Sequence, residues 1–486
     1  MSGPDDEMPS QRLKTDTSTA RSPDPGRTWP SDDDVPAVLL FVVLGAFGLL
    51  IPAQNDTFWL LRSGREMWAT KAFLTSEAFS HTSFGAPLHN HWWLTQAMFY
   101  GTYVLGGPVL LAAFAGALAF LAVWGSYRLL RGGFEIRLML LAFLALATVP
   151  EWAIRAQVVS LAFLVLMAHL VERDRIAWLP AVCVVWANAH AMVIFGVVIA
   201  VACALEAAMW TRRFVVRDAF VAVACVVAPV LSPVGLEYWP RVLATVSTSR
   251  ELQLQEYRMP FEVAAIPFWV ALATLVVLGI RRRRQLAQHP RQDRILLLAS
   301  AILGVAAVTA ARNIAFFSVI AAPALSRVLV VAPPRHHRVR SAGPVGYGLI
   351  AVAVLVTLAF TAMRWQNGGS ALGWQPISEG ALMAVRTCPD PMFNDFEDGG
   401  YLMWELPDRK VFVDSRIEAY PATLLRRTRA AELFGDYRDL FREYKIACAI
   451  VKAGSPLDAG LRRDGVRVAY SDASRTVFLT QRGSER

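Results

Sequence analysis

Charge is what this chain has least of for its length. Only 18% of its 486 residues are Asp, Glu, Lys or Arg, against 55% hydrophobic, and the mean hydropathy is +0.39. A soluble protein of several ordinary domains needs more polar surface than that, so that class is excluded and a bilayer is the main solvent. Cysteine is sparse too. Of five, Cys183, Cys203 and Cys225 fall inside apolar runs, where a thiol behaves as a small hydrophobe. Cys388 and Cys448 lie in polar sequence near the C-terminus and could pair if that part faces an oxidising compartment. No Walker, GxGxxG, HExxH or GxSxG pattern occurs, which argues against cytosolic-type nucleotide, dinucleotide, zinc-protease and serine-hydrolase chemistry. A cleavable signal pattern is missing as well, because the first apolar run starts too far into the chain.

What is present is a succession of apolar runs. Residues 1–34, rich in Pro, Ser, Asp and Arg, cannot bury enough apolar surface to offset ordering and are expected to form a disordered cytoplasmic tail. Val35 to Ala53 carries no charge over about the 20 residues that a membrane crossing needs. Ten further apolar runs follow between Pro108 and Met363, giving about 11 spans in residues 35–363. The net charge of +9 is spread in short basic runs between these segments rather than on one face, which is a positive-inside signal and not a nucleic-acid footprint. Arg281–Arg284, Arg335–Arg340 and Arg212–Arg217 mark the cytoplasmic side. Outside then lie the first loop (residues 54–93), the loop Leu231–Glu262 and everything after Met363, provided that Leu94–Gly106 lies along the interface without crossing. Residues 364–486 have a soluble texture. Short β-rich runs (Lys410–Asp414, Ile446–Lys452, Val466–Ser471, Thr476–Gln481) alternate with helical ones such as Ala422–Glu432, which predicts an extracytoplasmic α/β domain. The fold class is therefore mainly α: a polytopic transmembrane helix bundle with a C-terminal soluble α/β domain.

The polar residues of interest gather on the outer side. The first loop holds Asp56, Arg62, Arg65, Glu66, Glu77, three histidines and four tryptophans. An acid at the membrane surface, as Asp56 would be, can serve as a general base or hold a divalent cation against a phosphate, or simply cap the next helix. His89 and His91 suit hydrogen bonding better than metal ligation, since H-x-H lacks a third ligand. Trp59, Trp68, Trp92 and Trp93 fit an interfacial aromatic belt or the lining of a sugar or lipid site. Glu151 and Arg155, Glu256 and Arg258, and Arg312 with Asn313 all reach the same face. Arginines collected there are what a phosphate or pyrophosphate headgroup requires. Asn188 and His190 can pack helices or join a site. In the C-terminal part, Gly399–Gly400 reads as a tight turn and Asp414 as a capped loop or a ligand at a strand end.

At these residues the chain resembles bacterial membrane proteins of the GT-C glycosyltransferase class. More closely it resembles a branch whose first loop reads D-x-W-W-H-L-R-x-G, T-D-P-F-S-x-T and D-H-E-W-L. Here the matching stretches are DTFWLLRSG (Asp56–Gly64), SEAFSHT (Ser76–Thr82) and NHWWL (Asn90–Leu94), followed by RAQVVSLAF, WANAH, SPVGLEYW, QEYRMP, NDFEDGGYLMW and VFVDSR. The resemblance implies a glycosyltransferase of the cytoplasmic membrane acting at its outer face, with a polyprenyl-phosphate-linked sugar as donor and a glycan, lipid or protein acceptor. It implies Asp56 and Glu77 as catalytic acids, with Arg62, His91, Trp93, Arg155, Glu256, Arg258 and Arg312 around the substrate, and Mg²⁺ or Mn²⁺ as a conceivable cofactor. Leu60, Asn90 and Trp92 stand where the pattern has His, Asp and Glu. These departures motivate a second reading, a non-catalytic member that binds lipid-linked glycan in envelope polysaccharide assembly. A transporter ranks third, since the charges lie at one face and not at the midplane of two related halves.

Overall fold

The computed structural model describes residues 34–211, 215–330, 343–368 and 374–480. The expected N-terminal tail and the basic runs at Arg212–Arg213 and Arg335–Arg340 lie outside the described residues.

Each of the eleven apolar runs is helical. α1 (Val35–Leu49) leads to α2 (Asn55–Thr70), a helix within the first loop. α3 (Trp93–Arg128) follows. Its 36 residues would measure about 54 Å if straight, well beyond the hydrocarbon thickness. The helix breaks at Gly106 and Gly107, the latter at φ +63°, with Pro108 next. The stretch Leu94–Gly106 thereby separates from the apolar half that follows. α4 (Phe134–Thr148), α5 (Ala156–Glu172), α6 (Leu179–Ala187), α7 (Ile194–Glu206) and α8 (Val216–Val227) continue the bundle. α9 (Tyr238–Glu251) lies within the loop Leu231–Glu262, and its segment is bent by 117° from that of α8. α10 (Ile266–Arg281), the short α11 (Arg283–Leu286), α12 (Arg291–Thr309), α13 (Ile314–Leu329) and α14 (Pro344–Gly368) complete it. Among the described residues, six helices are long and apolar enough to cross a membrane, seven if the bent pair is one span, and three shorter apolar helices accompany them.

α13 is the central helix, enclosed by α3, α4, α5, α10 and α12 and buried along almost its whole length. Close approach elsewhere depends on small residues: a Cβ on Gly116 of α3 would sit 1.9 Å from the Gly48 carbonyl oxygen of α1.

The polar ends of the helices form two separate zones. At one end Ile154 N donates to Pro52 O, Leu94 N to Asn188 O and Ala311 N to Arg258 O. At the other, where the run Arg281–Arg284 lies, Arg327 is buried between Asp293 (2.6 Å) and Glu172 (2.8 Å), with Arg131 completing the network. Glu206, fully buried, pairs there with Arg291 (3.0 Å) and Arg294 (2.6 Å). Such pairs are strongly destabilising to break from one side, because the remaining charge stays buried.

The C-terminal lobe comprises α15 (Glu379–Arg386), β1 (Met392–Asn394), α16 (Gly399–Glu405), α17 (Ala422–Phe434), α18 (Arg438–Glu443), β2 (Cys448–Lys452), α19 (Pro456–Arg463), β3 (Arg467–Ser471) and β4 (Arg475–Leu479). The sheet order is β1-β2-β4-β3, with β1 parallel to β2 and the other pairs antiparallel. Lys410–Asp414, expected as a strand, instead leaves the sheet: Val411 makes a single bridge to Ser80 of the first loop. That pairing diverts the backbone groups which would have extended the sheet. Cys388 and Cys448 form a disulfide that ties the segment before β1 to β2.

Candidate functional site

Asp56 is placed by local rules. Gln54 precedes α2 in an extended conformation, its N–H donates to Thr57 Oγ1 (2.9 Å), and a capping box opens the helix. Asp56 therefore stands in the first turn, where the positive end of the helix dipole favours a carboxylate. Thr57 Oγ1–H donates to Ile154 O (2.7 Å), drawing in the chain that carries Arg155, the residue just before α5.

Arg155 is the centre of the cluster. Its Nε donates to Asp56 Oδ2 (2.8 Å), and its Nη2 lies 2.8 Å from the same oxygen and 3.2 Å from Glu256 Oε2. Glu256 Oε1 accepts from Arg312 Nη1 at 2.7 Å. With its amide oxygen turned toward the two guanidinium groups, Gln157 accepts from Arg155 Nη2 (2.9 Å) and Arg312 Nη2 (3.0 Å). The Arg312 guanidinium also lies 4.8 Å from the centre of the Tyr257 ring. Asp56 Oδ1 accepts from Trp59 Nε1 (3.1 Å) and, across 359 residues of sequence, from Ser415 Oγ (2.9 Å). Burial alone would raise the Asp56 carboxyl. Arg155 and the hydrogen bonds from Trp59 and Ser415 outweigh it and hold the group below its ordinary value. Burial raises neighbouring Glu151.

Four residues singled out in the sequence thus meet: Asp56, Arg155, Glu256 and Arg312. The others are placed elsewhere. Glu77 is buried 2.9 Å from Arg416, which also binds Asp414 (2.7 Å). The backbone N–H groups of Phe79 and Ser80 donate to the Glu77 carboxylate, and Tyr420 Oη–H donates to Asp414. This second network joins the first loop to the lobe, as do His81 N to Val411 O and Thr82 Oγ1 to Phe412 O. Arg62 pairs with Glu66 (3.0 Å) and donates to Pro407 O of the lobe. Trp93 Nε1 donates to Asn188 Oδ1 at 2.7 Å. Burial pushes the His91 imidazole down to about 4, so it is neutral at physiological pH. The Arg258 side chain stands beside the cluster without joining its ion pairs.

Two participants escaped the sequence reading. Gln157 lies in the quoted RAQVVSLAF stretch, two residues after Arg155, so the motif contained it without giving it a role. Glu418, in the turn Ile417–Ala419, is half-buried overall, yet its Oε2 is enclosed without a hydrogen-bond partner. Burial pushes this carboxyl up to about 8, Arg416 lowering it and Asp414 and Asp56 raising it.

The donor set does not fit a divalent cation as arranged. Among the described residues no three His, Cys, Asp or Glu side chains are grouped as metal ligands. Asp56 and Glu256 approach one another across the Arg155 guanidinium, which occupies the position a shared cation would need.

No family model matches the chain, and no curated protein sequence matches it either. Solved structures do. The oligosaccharyltransferase of Archaeoglobus fulgidus in its apo form aligns over 94% of this chain and 76% of its own, at 12% identity and a TM-score of 0.53. The Archaeoglobus fulgidus oligosaccharyltransferase AglB in complex with an inhibitory peptide and a dolichol-phosphate aligns over 93% and 75%, at 11% identity and a TM-score of 0.53. The chain is similar in fold to these two oligosaccharyltransferase structures over nearly its whole length.

Proposed function

We propose that this protein is a membrane glycosyltransferase that moves a sugar from a polyprenyl-phosphate-linked donor to an acceptor at the outer face of the cytoplasmic membrane. The observation that carries the reading is the convergence of Asp56, Arg155, Glu256 and Arg312 at one end of a GT-C-like bundle, roofed by Ser415 of the C-terminal lobe. The segregation of polar ends supports alternating directions for three of the helices. Helices α5 and α13 start at the Asp56 end and finish in the Glu172 and Arg327 network, while α12 runs the opposite way. The basic run at Arg281–Arg284 supports a cytoplasmic position for the network end. The Cys388–Cys448 disulfide supports an oxidising compartment for the lobe, and hence for Asp56 beneath it.

In an inverting transfer the acceptor's nucleophilic atom forms a bond to the anomeric carbon, and the bond from that carbon to the phosphate oxygen breaks. The electron pair leaves with the polyprenyl phosphate, and the acceptor proton passes to a base. Asp56 is ionised and serves as that base; the acceptor hydroxyl takes the position that Ser415 Oγ–H holds against Oδ1. Arg155 keeps the carboxylate oriented. The test is transfer from a labelled lipid-linked sugar in membranes. Asp56→Asn should lower it by about a hundredfold or more, a typical general-base contribution, and undiminished transfer would refute the role.

A second reading is a non-catalytic member that binds lipid-linked glycan. It draws on Leu60, Asn90 and Trp92: Leu60 is buried in the core, and Asn90 is occupied with Gln96 (2.7 Å) and Trp92 N (3.2 Å). Copurified lipid-linked glycan that is never consumed, whatever acceptor is supplied, would favour it.

A further inference from the structure

The guanidinium groups of the central cluster are already compensated. Arg155 and Arg312 together carry two positive charges, and Asp56 and Glu256 two negative ones, within hydrogen-bond distance of each other. A phosphate brought there would meet no surplus of positive charge. Next to the cluster is a cavity of about 290 Å³ lined by Arg250, Gln253, Leu254, Tyr257 and Arg258. Both of its arginines are exposed and, among the described residues, neither makes an ion pair or a side-chain hydrogen bond, in contrast to Arg155 and Arg312.

We infer that this cavity seats a phosphate-class anion, and that Arg250 and Arg258, rather than Arg155 and Arg312, supply the charge that holds it. The walls are built rather than loose. Leu252 is buried in the lobe's core and Leu254 packs against it. Glu251 pairs with Arg426 of the lobe (2.7 Å). On the other side Ala311 N donates to Arg258 O (2.9 Å), and the Tyr257 ring lies against Arg312. Tyr257 is thus both a wall of the cavity and a contact of Arg312 in the Asp56 cluster. The chain leaving Arg258 exposes Met259, Phe261 and Val263 at 55%, 76% and 81%, and then enters the apolar helix α10. A basic cavity with an apolar margin at the start of a membrane helix fits a phosphate carried on a lipid better than a free one. The identity of that lipid as the sugar carrier rests on the transferase reading above.

The test uses the full-length protein in phosphatidylcholine nanodiscs, with decaprenyl phosphate, decaprenol and inorganic phosphate as probes and native mass spectrometry as readout. Decaprenyl phosphate should bind at least about tenfold more tightly than decaprenol, the scale of a charge-assisted contact. The Arg250→Gln/Arg258→Gln variant should lose that margin, and Arg250→Lys/Arg258→Lys should keep part of it. Arg241→Gln, on the same helix, should leave it unchanged. Unaltered thermal unfolding of the Gln variant separates lost binding from lost fold. Equal binding of phosphate and alcohol, or an unaffected Gln variant, would overturn the assignment. Inorganic phosphate competing at the affinity of decaprenyl phosphate would overturn its lipid part. Binding needs no turnover, so equal binding of phosphate and alcohol by a protein that still transfers refutes the cavity alone, whereas preferential binding of the phosphate without transfer refutes the transferase alone.

Discussion

Asp56 and Glu418 are two carboxyl groups held apart in protonation by what surrounds them, and their pH behaviour runs in opposite directions. Asp56 lies below its ordinary 3.8, so its bond to Arg155 is intact above that value and fails only as acid carries the pH through the depressed one. Transfer should show no acid limb from this group between roughly pH 5 and 8, which a pH profile of the initial rate will check. Glu418 is raised from 4.5 to about 8. Across that window the folded chain keeps a proton that the unfolded chain releases, so this group makes stability fall as pH rises. Glu418→Gln should flatten the slope, read as thermal unfolding from about pH 5 to 8.5. Arg416 illustrates a third case. Removing it by Arg416→Ala leaves Glu77 and Asp414 buried and uncompensated and should destabilise the lobe's attachment by about 3–5 kcal/mol, seen as a lower unfolding temperature or earlier proteolysis. The sequence made Asp56, Arg155, Glu256 and Arg312 legible because charged groups near apolar ends are rare. It could not show that Glu77 is held by Arg416, since that pairing joins positions 339 residues apart.

At the scale of elements, apolar periodicity located the helices but not their deviations. The break in α3 follows from three consecutive residues, Gly106, Gly107 and Pro108. The bend between α8 and α9 falls at Pro233 and Gly235, the latter at φ +62°, and tertiary packing holds it: Tyr238 of α9 is buried in the bundle and its Oη–H donates to Ala187 O. The failure of Lys410–Asp414 as a sheet strand has the same origin, a backbone that pairs with another part of the chain. α16 docks on α2 through a similar closeness: a Cβ on Gly400 would lie 2.7 Å from the Asn55 backbone oxygen. Gly400→Ala should force the two helices apart and move Ser415 away from Asp56. The expected result is transfer reduced about tenfold or more, as misplacement near reacting groups does, with membrane insertion unchanged by protease mapping.

For the whole molecule, the lobe and the first loop share one side of the bundle. In spheroplasts, Cys388 and Cys448 should become reactive to a membrane-impermeant maleimide only after reduction, whereas a phosphatase fused after residue 480 should be active without permeabilisation. Labelling of these cysteines only from the cytoplasmic side would refute the orientation. The overall plan of bundle followed by soluble lobe was readable from the change in composition near Met363. The way the lobe closes over the loop was not, because its contacts, namely backbone pairings, the Glu77–Arg416 ion pair and the Ser415 hydroxyl, join positions far apart in the chain.

That serine also ties the carboxylate to the order of synthesis. Asp56 precedes Ser415 by 359 residues, so the acid is made long before its hydroxyl partner. Until the lobe packs against α2, Asp56 Oδ1 keeps only the Trp59 indole as a side-chain donor, and the tie across the chain is among the last to form.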